Sequence, residues 1–214
     1  METRNQNIPD IIVGRLPRYL RALHVLREKG KTTNSKELGA FLGYSAAQIR
    51  KDLSQFGEFG KQGTGYDIDF LIQQIQEILN IDHDWKMILV GCGNIGHAIL
   101  NYPGFSHNRF HIVAAVDSNT DLIGKVVNDT IVVQDINDIE SIIKNNGIRI
   151  AMLTVPAATA QETAEKLISF GIKGILSYAP TLLNLPEDIK VEYIDPVLSL
   201  QHITFYLHEN NENE

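Results

Sequence analysis

The sequence predicts an α/β protein with an N-terminal winged-helix (helix-turn-helix) domain, a Rossmann-like parallel sheet and a C-terminal helix exchanged in a homodimer. The glycine-rich loop Gly91-Cys92-Gly93-Asn94-Ile95-Gly96 directly follows the apolar run 87–90, which is the placement of the dinucleotide-binding fingerprint. The residues before this loop are basic, have helical periodicity and contain few catalytic groups. A nucleotide-binding domain that follows a separate N-terminal domain favours a regulatory protein over an enzyme. We expect a winged-helix domain at residues 1–80 (the head), a Rossmann-like domain at residues 85–194 (the body) and a C-terminal dimerisation helix with its tail at residues 195–214.

Composition and charge indicate a globular protein with a local surface for a polyanion. The chain has 214 residues, of which 43% are hydrophobic and 21% charged, as in ordinary globular proteins. Residues 1–66 carry 11 Lys and Arg against 6 Asp and Glu, a net charge of +5, whereas residues 67–214 carry 8 against 20, a net charge of −12. A basic head on an acidic body is typical of nucleic-acid binding, although a solvated helical surface has the same charge.

The sequence gives no sign of a membrane or secretory segment. No apolar run approaches the roughly 20 residues that span a bilayer, and residues 1–10 have no signal-peptide core. The single cysteine excludes an intrachain disulfide and fits a reducing compartment. We therefore expect a cytoplasmic protein.

Apolar spacing predicts three helices in the head. The first runs from Pro17 to Gly30, with leucines three and four residues apart. The second begins near Asn34, and the third opens with Ser45 and Gln48 as a capping box. This order, with a tight turn before the third helix, is that of helix-turn-helix proteins, whose last helix lies in the major groove.

The third helix and the segment after it predict contacts with double-stranded DNA. The polar face of the helix carries four residues, Arg50, Lys51, Ser54 and Gln55. Residues 57–66 contain four glycines, which indicates a hairpin wing suited to a narrow groove. A small helical bundle with a flexible loop has the same pattern. A further helix is predicted over 67–80, and a polar connector over 81–84.

The body alternates apolar runs with helical stretches, which predicts a parallel sheet covered on both faces. Strands are expected near 86–90, 112–116, 131–133, 149–155, 174–176 and 191–194, and helices near 95–101, 137–145, 159–170 and 196–208. The last helix has large apolar residues at seven of its positions 197–207. A helix apolar on most faces is buried, and at a chain end this indicates insertion into a second subunit.

The glycine loop and the end of the second strand predict NADH or NAD+ as the ligand. Gly91 permits the tight turn, Gly93 lets the backbone approach the pyrophosphate, and Gly96 lets the helix pack on the strand. Asp117 ends the second strand, where a carboxylate binds the adenosine ribose and repels a 2′-phosphate. NAD(H) is therefore favoured over NADP(H). A glycine turn in an unrelated α/β sheet is the alternative.

The crevice is expected at the carboxyl ends of the next strands. Thr154-Val155-Pro156 and Ser177-Tyr178-Ala179-Pro180 end the fourth and fifth strands. An apolar pocket of Tyr102, Phe105, Val155 and Ala179 would disfavour the charged nicotinamide of NAD+. Core packing of the two aromatics fits the sequence equally well. Cys92 is interpreted as a small packing residue, with thiol reactivity secondary.

The sequence contains no evident catalytic or metal site. No tyrosine has a lysine four residues later, so the acid–base pair of short-chain dehydrogenases is missing. His107 and His111 have the spacing of a metal pair, but the second begins a strand, so we expect no metal there. We predict that the protein is not an enzyme.

With these features placed, the chain resembles the Rex family of redox-sensing transcriptional repressors along nearly its whole length. The matching stretches are Ile49-Arg50-Lys51-Asp52-Leu53-Ser54, Phe56-Gly57, Gly63-Thr64-Gly65-Tyr66, the 91–96 loop, Tyr102-Pro103-Gly104-Phe105, Leu153-Thr154-Val155-Pro156 and Gly171-Ile172-Lys173-Gly174-Ile175-Leu176. The resemblance implies a homodimer that binds palindromic operator DNA when NADH is scarce relative to NAD+, and leaves it when NADH binds.

The resemblance, taken with the pattern, gives sets of expected site residues. The DNA-binding set is Pro17, Arg18, Ser45, Gln48, Arg50, Lys51, Ser54, Phe56, Lys61, Gly63, Gly65 and Tyr66. The cofactor-binding set is Gly91, Cys92, Gly93, Asn94, Ile95, Gly96, Tyr102, Asp117, Thr154, Val155, Pro156, Tyr178 and Ala179. Arg21 is expected to pair with Asp195 of a second subunit in one of two states.

Two departures from the family pattern and two rival functions accompany this interpretation. Ser177-Tyr178 stands where the family often has Asn-Phe, so a hydroxyl is available near the crevice. Pro196 directly follows Asp195, which bears on the expected ion pair. A small NAD-dependent dehydrogenase is the main rival, and a coenzyme A–binding module is the other.

Overall fold

The computed structural model describes residues 8–61, 65–128 and 130–208 and divides the chain into two compact units, Met1–His83 and Asp84–Glu214. The division falls inside the polar connector 81–84. Within the described ranges, no helix is both long and apolar enough to cross a membrane.

The first unit is a helical bundle with a small antiparallel sheet. Its helices are α1 (Asp10–Val13), α2 (Leu16–Arg27), α3 (Ser35–Leu42), α4 (Ala46–Ser54) and α5 (Ile68–Ile78). Its strands are β1 (Thr32–Thr33), β2 (Gly60–Lys61) and β3 (Gly65–Asp67), in the order β1-β3-β2. The winged-helix prediction is therefore confirmed, while the short helix α1 was not predicted.

Side-chain caps define where three helices of this unit, α3, α4 and α5, begin. Asn34 accepts hydrogen bonds from the backbone N–H groups of Lys36 and Glu37 at the start of α3. Asp67 is both the last residue of β3 and the N-cap of α5, where it accepts from the N–H of Phe70 at 2.9 Å. Such caps satisfy helix N–H groups that have no partner within the helix.

The predicted capping box at α4 is only half correct. Ser45 Oγ accepts from the backbone N–H of Gln48 at 3.1 Å, as expected. The Gln48 side chain does not return to Ser45, because its amide donates to Asp52 Oδ1 at 2.6 Å. A hydrogen bond from the Gln48 amide to a carboxylate is charge-assisted, whereas a capping box would offer its carbonyl oxygen only the neutral N–H of Ser45, so the side chain turns inward.

The second unit is built on a seven-stranded sheet. Its strands are β4 (Trp85–Val90), β5 (Phe110–Asp117), β6 (Val126–Val127), β7 (Ile131–Asp135), β8 (Ile150–Leu153), β9 (Gly174–Ser177) and β10 (Lys190–Tyr193). They lie in the order β10-β9-β8-β4-β5-β7-β6, parallel except for the antiparallel edge strand β6. Without β6, this is the strand order of dinucleotide-binding folds.

Helices cover this sheet and extend beyond it. They are α6 (Asn94–Leu100), α7 (Gly104–His107), α8 (Ile139–Asn146), preceded by a 3₁₀ turn at Ile136–Asp138, then α9 (Ala157–Ser169) and α10 (Pro196–His208). Two buried apolar clusters lie on the two faces of the sheet. The sequence did not predict β6 or α7, and the strand expected over 149–155 ends at Leu153, three residues before Pro156.

Helix α10 has exposed apolar side chains on all sides. Leu198 is 59% exposed, Ile203 52% and Phe205 64%. Over the described residues, the helix therefore has no cover within the chain, and cover by a second subunit stays a prediction.

Candidate nucleotide and DNA sites

The loop after β4 has the shape that its glycines require. Gly91 has φ +95°, and a Cβ there would lie 2.8 Å from the carbonyl oxygen of Thr154. A Cβ on Gly96 would overlap the carbonyl oxygen of Gly91. Helix α6 can therefore pack against the loop only with glycine at position 96. At Gly93 a Cβ would meet nothing within 4 Å, so this backbone faces open space.

A cavity of about 990 Å³ opens beside this loop. Its wall includes the loop at Gly91, Gly93, Asn94 and Ile95, the end of β5 at Asp117, and the ends of β8 and β9. The volume lies at the upper end of ordinary ligand pockets. An open Gly93 between a carboxylate and two strand ends fits a dinucleotide, whose pyrophosphate needs close backbone approach.

Asp117 is held in place by backbone donors. Its Oδ2 accepts from the N–H of Cys92 at 2.5 Å, and its Oδ1 accepts from the N–H of Asn119 at 2.8 Å. A carboxylate has about four acceptor sites, so Asp117 retains capacity for two ribose hydroxyls. The fixed orientation makes the group a preformed acceptor at the cavity wall.

Cys92 lies behind the loop rather than in the cavity wall. Its side chain is buried, and the thiol donates to the carbonyl oxygen of Val116 at 3.6 Å. Burial, assisted by the nearby charge of Asp117, raises the pKa of the thiol to about 12. Since the thiolate is the reactive form, Cys92 is a packing residue with low reactivity.

Thr154 connects two strand ends through its hydroxyl. Its Oγ1 donates to the carbonyl oxygens of Val90 at 3.0 Å and Gly91 at 2.5 Å. The hydroxyl is therefore committed to shaping the glycine loop, and the residue lines the cavity with its remaining surface.

The predicted cofactor residues fall into two groups. Those that line the cavity are Gly91, Gly93, Asn94, Ile95, Asp117, Thr154, Val155, Pro156 and Tyr178. Cys92, Gly96 and Ala179 are buried outside the lining, and Tyr102 is exposed and packs edge-to-face on Phe105 at 5.2 Å. Of the four residues expected to form the apolar nicotinamide pocket, the described cavity includes Val155 alone.

Sequence reasoning missed one wall of the cavity. One face of α9 and the 3₁₀ turn contribute Ile136, Asn137, Thr159, Glu162, Thr163, Lys166 and Phe170. The spacing of the α9 residues is that of one helix face, which was visible in the sequence. Their polar character concealed it, because a polar helix face normally indicates solvent.

In the first unit, Asp52 on α4 is a fully buried carboxylate. Arg15 donates to it through Nε at 2.6 Å and Nη2 at 2.8 Å, and Tyr19 Oη and Gln48 Nε2 donate at 2.5 and 2.6 Å. Burial alone would raise the pKa of Asp52, but hydrogen bonds from Arg15, Tyr19 and Gln48 outweigh it and hold the pKa below its ordinary value. The network fixes α4 against α2, and sequence reasoning missed it.

The opposite face of α4 is basic and exposed. Arg50 and Lys51 are both exposed, and Arg50 Nη1 donates to Ser35 Oγ at 3.0 Å. Burial raises the pKa of the Tyr66 phenol, and the charge of Arg50 partly opposes this shift. Arg18 is exposed and donates to Tyr44 Oη at 2.9 Å.

The remaining predicted DNA-contacting residues differ in exposure. Pro17, Ser45 and Ser54 are exposed, whereas Gln48 faces Asp52 and Phe56 packs against the core. Gly65 has φ +77°, and a Cβ there would overlap the carbonyl oxygen of Thr33, so the wing requires glycine at this position. Gly63 and the side chain of Lys61 lie outside the described residues.

The two residues of the expected intersubunit switch lie in different units. Arg21 is an exposed residue of α2. Asp195 is half-buried, and its Oδ1 accepts from the N–H of Val197 at 2.9 Å at the start of α10.

Comparison with known proteins identifies the family. The family model described as "Putative DNA-binding protein N-terminus" matches residues 7–54, and that described as "CoA binding domain" matches residues 82–181. A redox-sensing transcriptional repressor Rex from Roseiflexus sp. is 46% identical over 205 residues, which is 95% of this chain and 93% of the relative. The chain belongs to the Rex family.

Solved structures agree with this assignment to the Rex family. RSP in complex with β-NAD+ and operator DNA has a TM-score of 0.89 at 36% identity, covering 96% of this chain and 94% of RSP. RSP in complex with β-NADH has a TM-score of 0.86 at 33% identity, covering 96% of both chains. The relatives are named as repressors rather than enzymes.

Proposed function

We propose that this protein is a transcriptional repressor that senses the NADH/NAD+ ratio, binds palindromic operator DNA as a homodimer and is released by NADH. The observation that carries the proposal is one chain with two built sites, a dinucleotide cavity in one unit and a basic helix with a wing in the other. Membership of the Rex family supports it, as do the complexes of RSP with NAD+, NADH and operator DNA.

In the second unit, the cavity wall is suited to NADH and NAD+. The open backbone at Gly93 is positioned for the pyrophosphate, and Asp117 for the adenosine ribose. The negative charge of Asp117 disfavours a ribose 2′-phosphate, which favours NAD(H) over NADP(H).

In the first unit, α4 is the proposed recognition helix. Arg50 and Lys51 extend from it toward solvent, and the buried network at Asp52 holds its opposite face. The wing between β2 and β3 is proposed to enter the adjacent minor groove. The predicted DNA-contacting set, including Pro17, Arg18 and Gly63, is retained as part of this proposal.

Sensing requires that the two redox forms bind with different affinity, because only a differential affinity shifts a conformational equilibrium. The nicotinamide is cationic in NAD+ and neutral in NADH, so a partly desolvated site favours the neutral form. In a dimer, recognition helices must lie about 34–36 Å apart, or a multiple of that, to read a palindrome. A change in this spacing on NADH binding would release the operator.

The dimer is proposed to form through α10, with the segment from 195 onward exchanged between subunits. The exposed apolar surface of α10 supports this, and Arg21 is proposed to pair with Asp195 of the second subunit. We further propose that the protein catalyses no reaction and acts in the cytoplasm, where bacterial operator DNA lies.

Fluorescence anisotropy with operator DNA tests the proposal. Added NADH is expected to weaken DNA binding strongly, and NAD+ much less. The variants Arg50→Ala and Lys51→Ala should bind DNA weakly and NADH normally, whereas Lys29→Ala, which removes an exposed head lysine outside the predicted set, should bind both normally. Equal responses to NADH and NAD+ would reject redox sensing, and oxidation of NADH with a carbonyl substrate would support the dehydrogenase alternative.

A further inference from the structure

Two neighbouring hydroxyls at the end of β9 have different surroundings. Ser177 is 1% exposed, does not line the cavity, and its Oγ is a buried side-chain atom without a hydrogen-bond partner among the described residues. Tyr178 is half-buried and lines the cavity. The backbone N–H of Tyr178 donates to the carbonyl oxygen of Leu153 at 2.8 Å, which fixes this residue beside the end of β8.

The Tyr178 hydroxyl has no hydrogen-bond partner among the described residues. Burial alone accounts for the raised pKa of the phenol, and no protein hydrogen bond to it contributes within the described ranges. Among the described residues, the Ser177 Oγ is the only fully buried side-chain oxygen or nitrogen without a partner. The Tyr178 oxygen, which also has no partner, is therefore accessible. An accessible oxygen without a protein partner, on a residue that lines the cavity, is available to a bound ligand. A phenol has an ordinary pKa of about 10, so the group is protonated, and therefore a donor, at neutral pH.

Sheet order determines which part of a dinucleotide lies near this hydroxyl. The phosphate loop follows β4, and Asp117 ends β5 on one side of it. Strands β8 and β9 lie on the other side of β4, and their ends line the same cavity. With the adenosine ribose at Asp117 and the pyrophosphate at the loop, the nicotinamide half extends over β8 and β9.

We propose that the Tyr178 hydroxyl selects reduced over oxidised nicotinamide by donating a hydrogen bond to the carboxamide oxygen; the proposal rests on the proposed function. In the dihydronicotinamide, the ring nitrogen releases electron density through the conjugated double bond into the carboxamide oxygen. In the oxidised ring, the positive charge withdraws it. Because hydrogen-bond strength follows the negative charge on the acceptor, the same O–H group binds the reduced form more tightly.

The test is isothermal titration calorimetry of the full-length protein with NADH, NAD+ and thionicotinamide NADH. In the last ligand, sulfur replaces the carboxamide oxygen and is a weak acceptor. Tyr178→Phe should weaken NADH binding about fivefold, the usual effect of one neutral hydrogen bond, and change NAD+ affinity less than twofold. Wild-type protein should bind NADH about fivefold more tightly than the thio analogue, and Tyr178→Phe should bind the two equally.

Ser177→Ala is the matched control, because it removes a hydroxyl one residue away that does not line the cavity. It should retain both affinity ratios, and thermal unfolding should show that both variants are folded. The proposal would be overturned by an unchanged ratio of NADH affinity to NAD+ affinity in Tyr178→Phe, or by a preference for NADH over the thio analogue that survives the substitution. In either case, NADH binding by the wild type would still uphold the proposed function. Failure of the wild type to bind either redox form would overturn both.

Discussion

Arg15 and Asp52 form a two-bond ion pair, with Nε–Oδ2 and Nη2–Oδ1 distances of 2.6 and 2.8 Å, that joins the start of α2 to the proposed recognition helix α4. The Asp52 side chain is fully buried, whereas that of Arg15 is 16% exposed. Removing one member of such a pair leaves the other charge without compensation. The orientation of α4 therefore depends on the Asp52 carboxylate, which is buried and cannot contact DNA.

Asp52→Asn is expected to lower the free energy of unfolding of the first unit by about 3 kcal/mol and to weaken operator binding, while NADH affinity stays unchanged. Asp69→Asn is the control, because it breaks the exposed Arg27–Asp69 pair at 2.9 Å and should cost less than about 1 kcal/mol. Urea unfolding followed by circular dichroism gives both values. Equal stability of the two variants would show that the buried pair adds nothing.

The lowered pKa of Asp52 gives this effect a pH dependence. A carboxyl whose folded pKa is depressed contributes stability above its unfolded pKa, which is about 3.9, and loses it as the pH falls through the folded value. Wild type and Asp52→Asn should therefore differ in stability at neutral pH and begin to converge as the pH falls below about 4. A difference that persists undiminished in strong acid would contradict this assignment.

Two of the three glycines in the phosphate loop, Gly96 and Gly93, are expected to affect folding and NADH binding separately. Gly96→Ala places a methyl group onto the carbonyl oxygen of Gly91 and should lower the melting temperature of the second unit. Gly93→Ala meets nothing within 4 Å and should melt like the wild type, yet lose NADH affinity because the methyl group occupies the approach to the phosphates. Differential scanning calorimetry and NADH titration measure the two effects. Normal NADH binding by Gly93→Ala would remove this glycine from the proposed site.

Asp117→Ala is expected to weaken NADH binding by roughly tenfold or more, since hydrogen bonds to a charged group are lost. It should also reduce discrimination against NADPH, because the repelling charge is gone. Asp121→Ala removes an exposed carboxylate four residues away that does not line the cavity, so it should leave both properties intact. The measurement is competitive titration of NADH against NADPH, and unchanged selectivity in Asp117→Ala would exclude the ribose role.

Helix α10 is expected to hold the dimer together. The double variant Leu198→Asp and Phe205→Asp places charges on its exposed apolar surface and should shift the protein to monomers. Leu182→Asp alters a leucine that is 83% exposed elsewhere in the same unit and should leave the dimer intact. Sedimentation velocity distinguishes the species, and a dimeric double variant would mean that other surfaces carry the association.

Local patterns in the sequence were sufficient for six of the seven strands of the large sheet, the glycine loop and helix α4. Apolar runs predicted the strands because a parallel sheet covered on both faces has no polar side. The Asp52 network was not predictable in the same way, since its partners Arg15 and Tyr19 come from a different helix and the sequence shows only a charged residue beside Leu53. The polar wall from α9 and the two-residue strand β6 were missed because their roles depend on tertiary neighbours. The apolar pocket around Tyr102 stays a prediction, since Val155 is the one member of it that lines the described cavity and the Tyr102 ring packs on Phe105.

Asp67 completes the wing strand β3 and caps α5 in the same residue, and no loop separates the two elements. Helix α5 is also the segment that leads from the first unit to the connector. No residue lies between α5 and β3 that could absorb a rotation of the helix. A change in the direction of α5 would therefore change the direction of β3 as well.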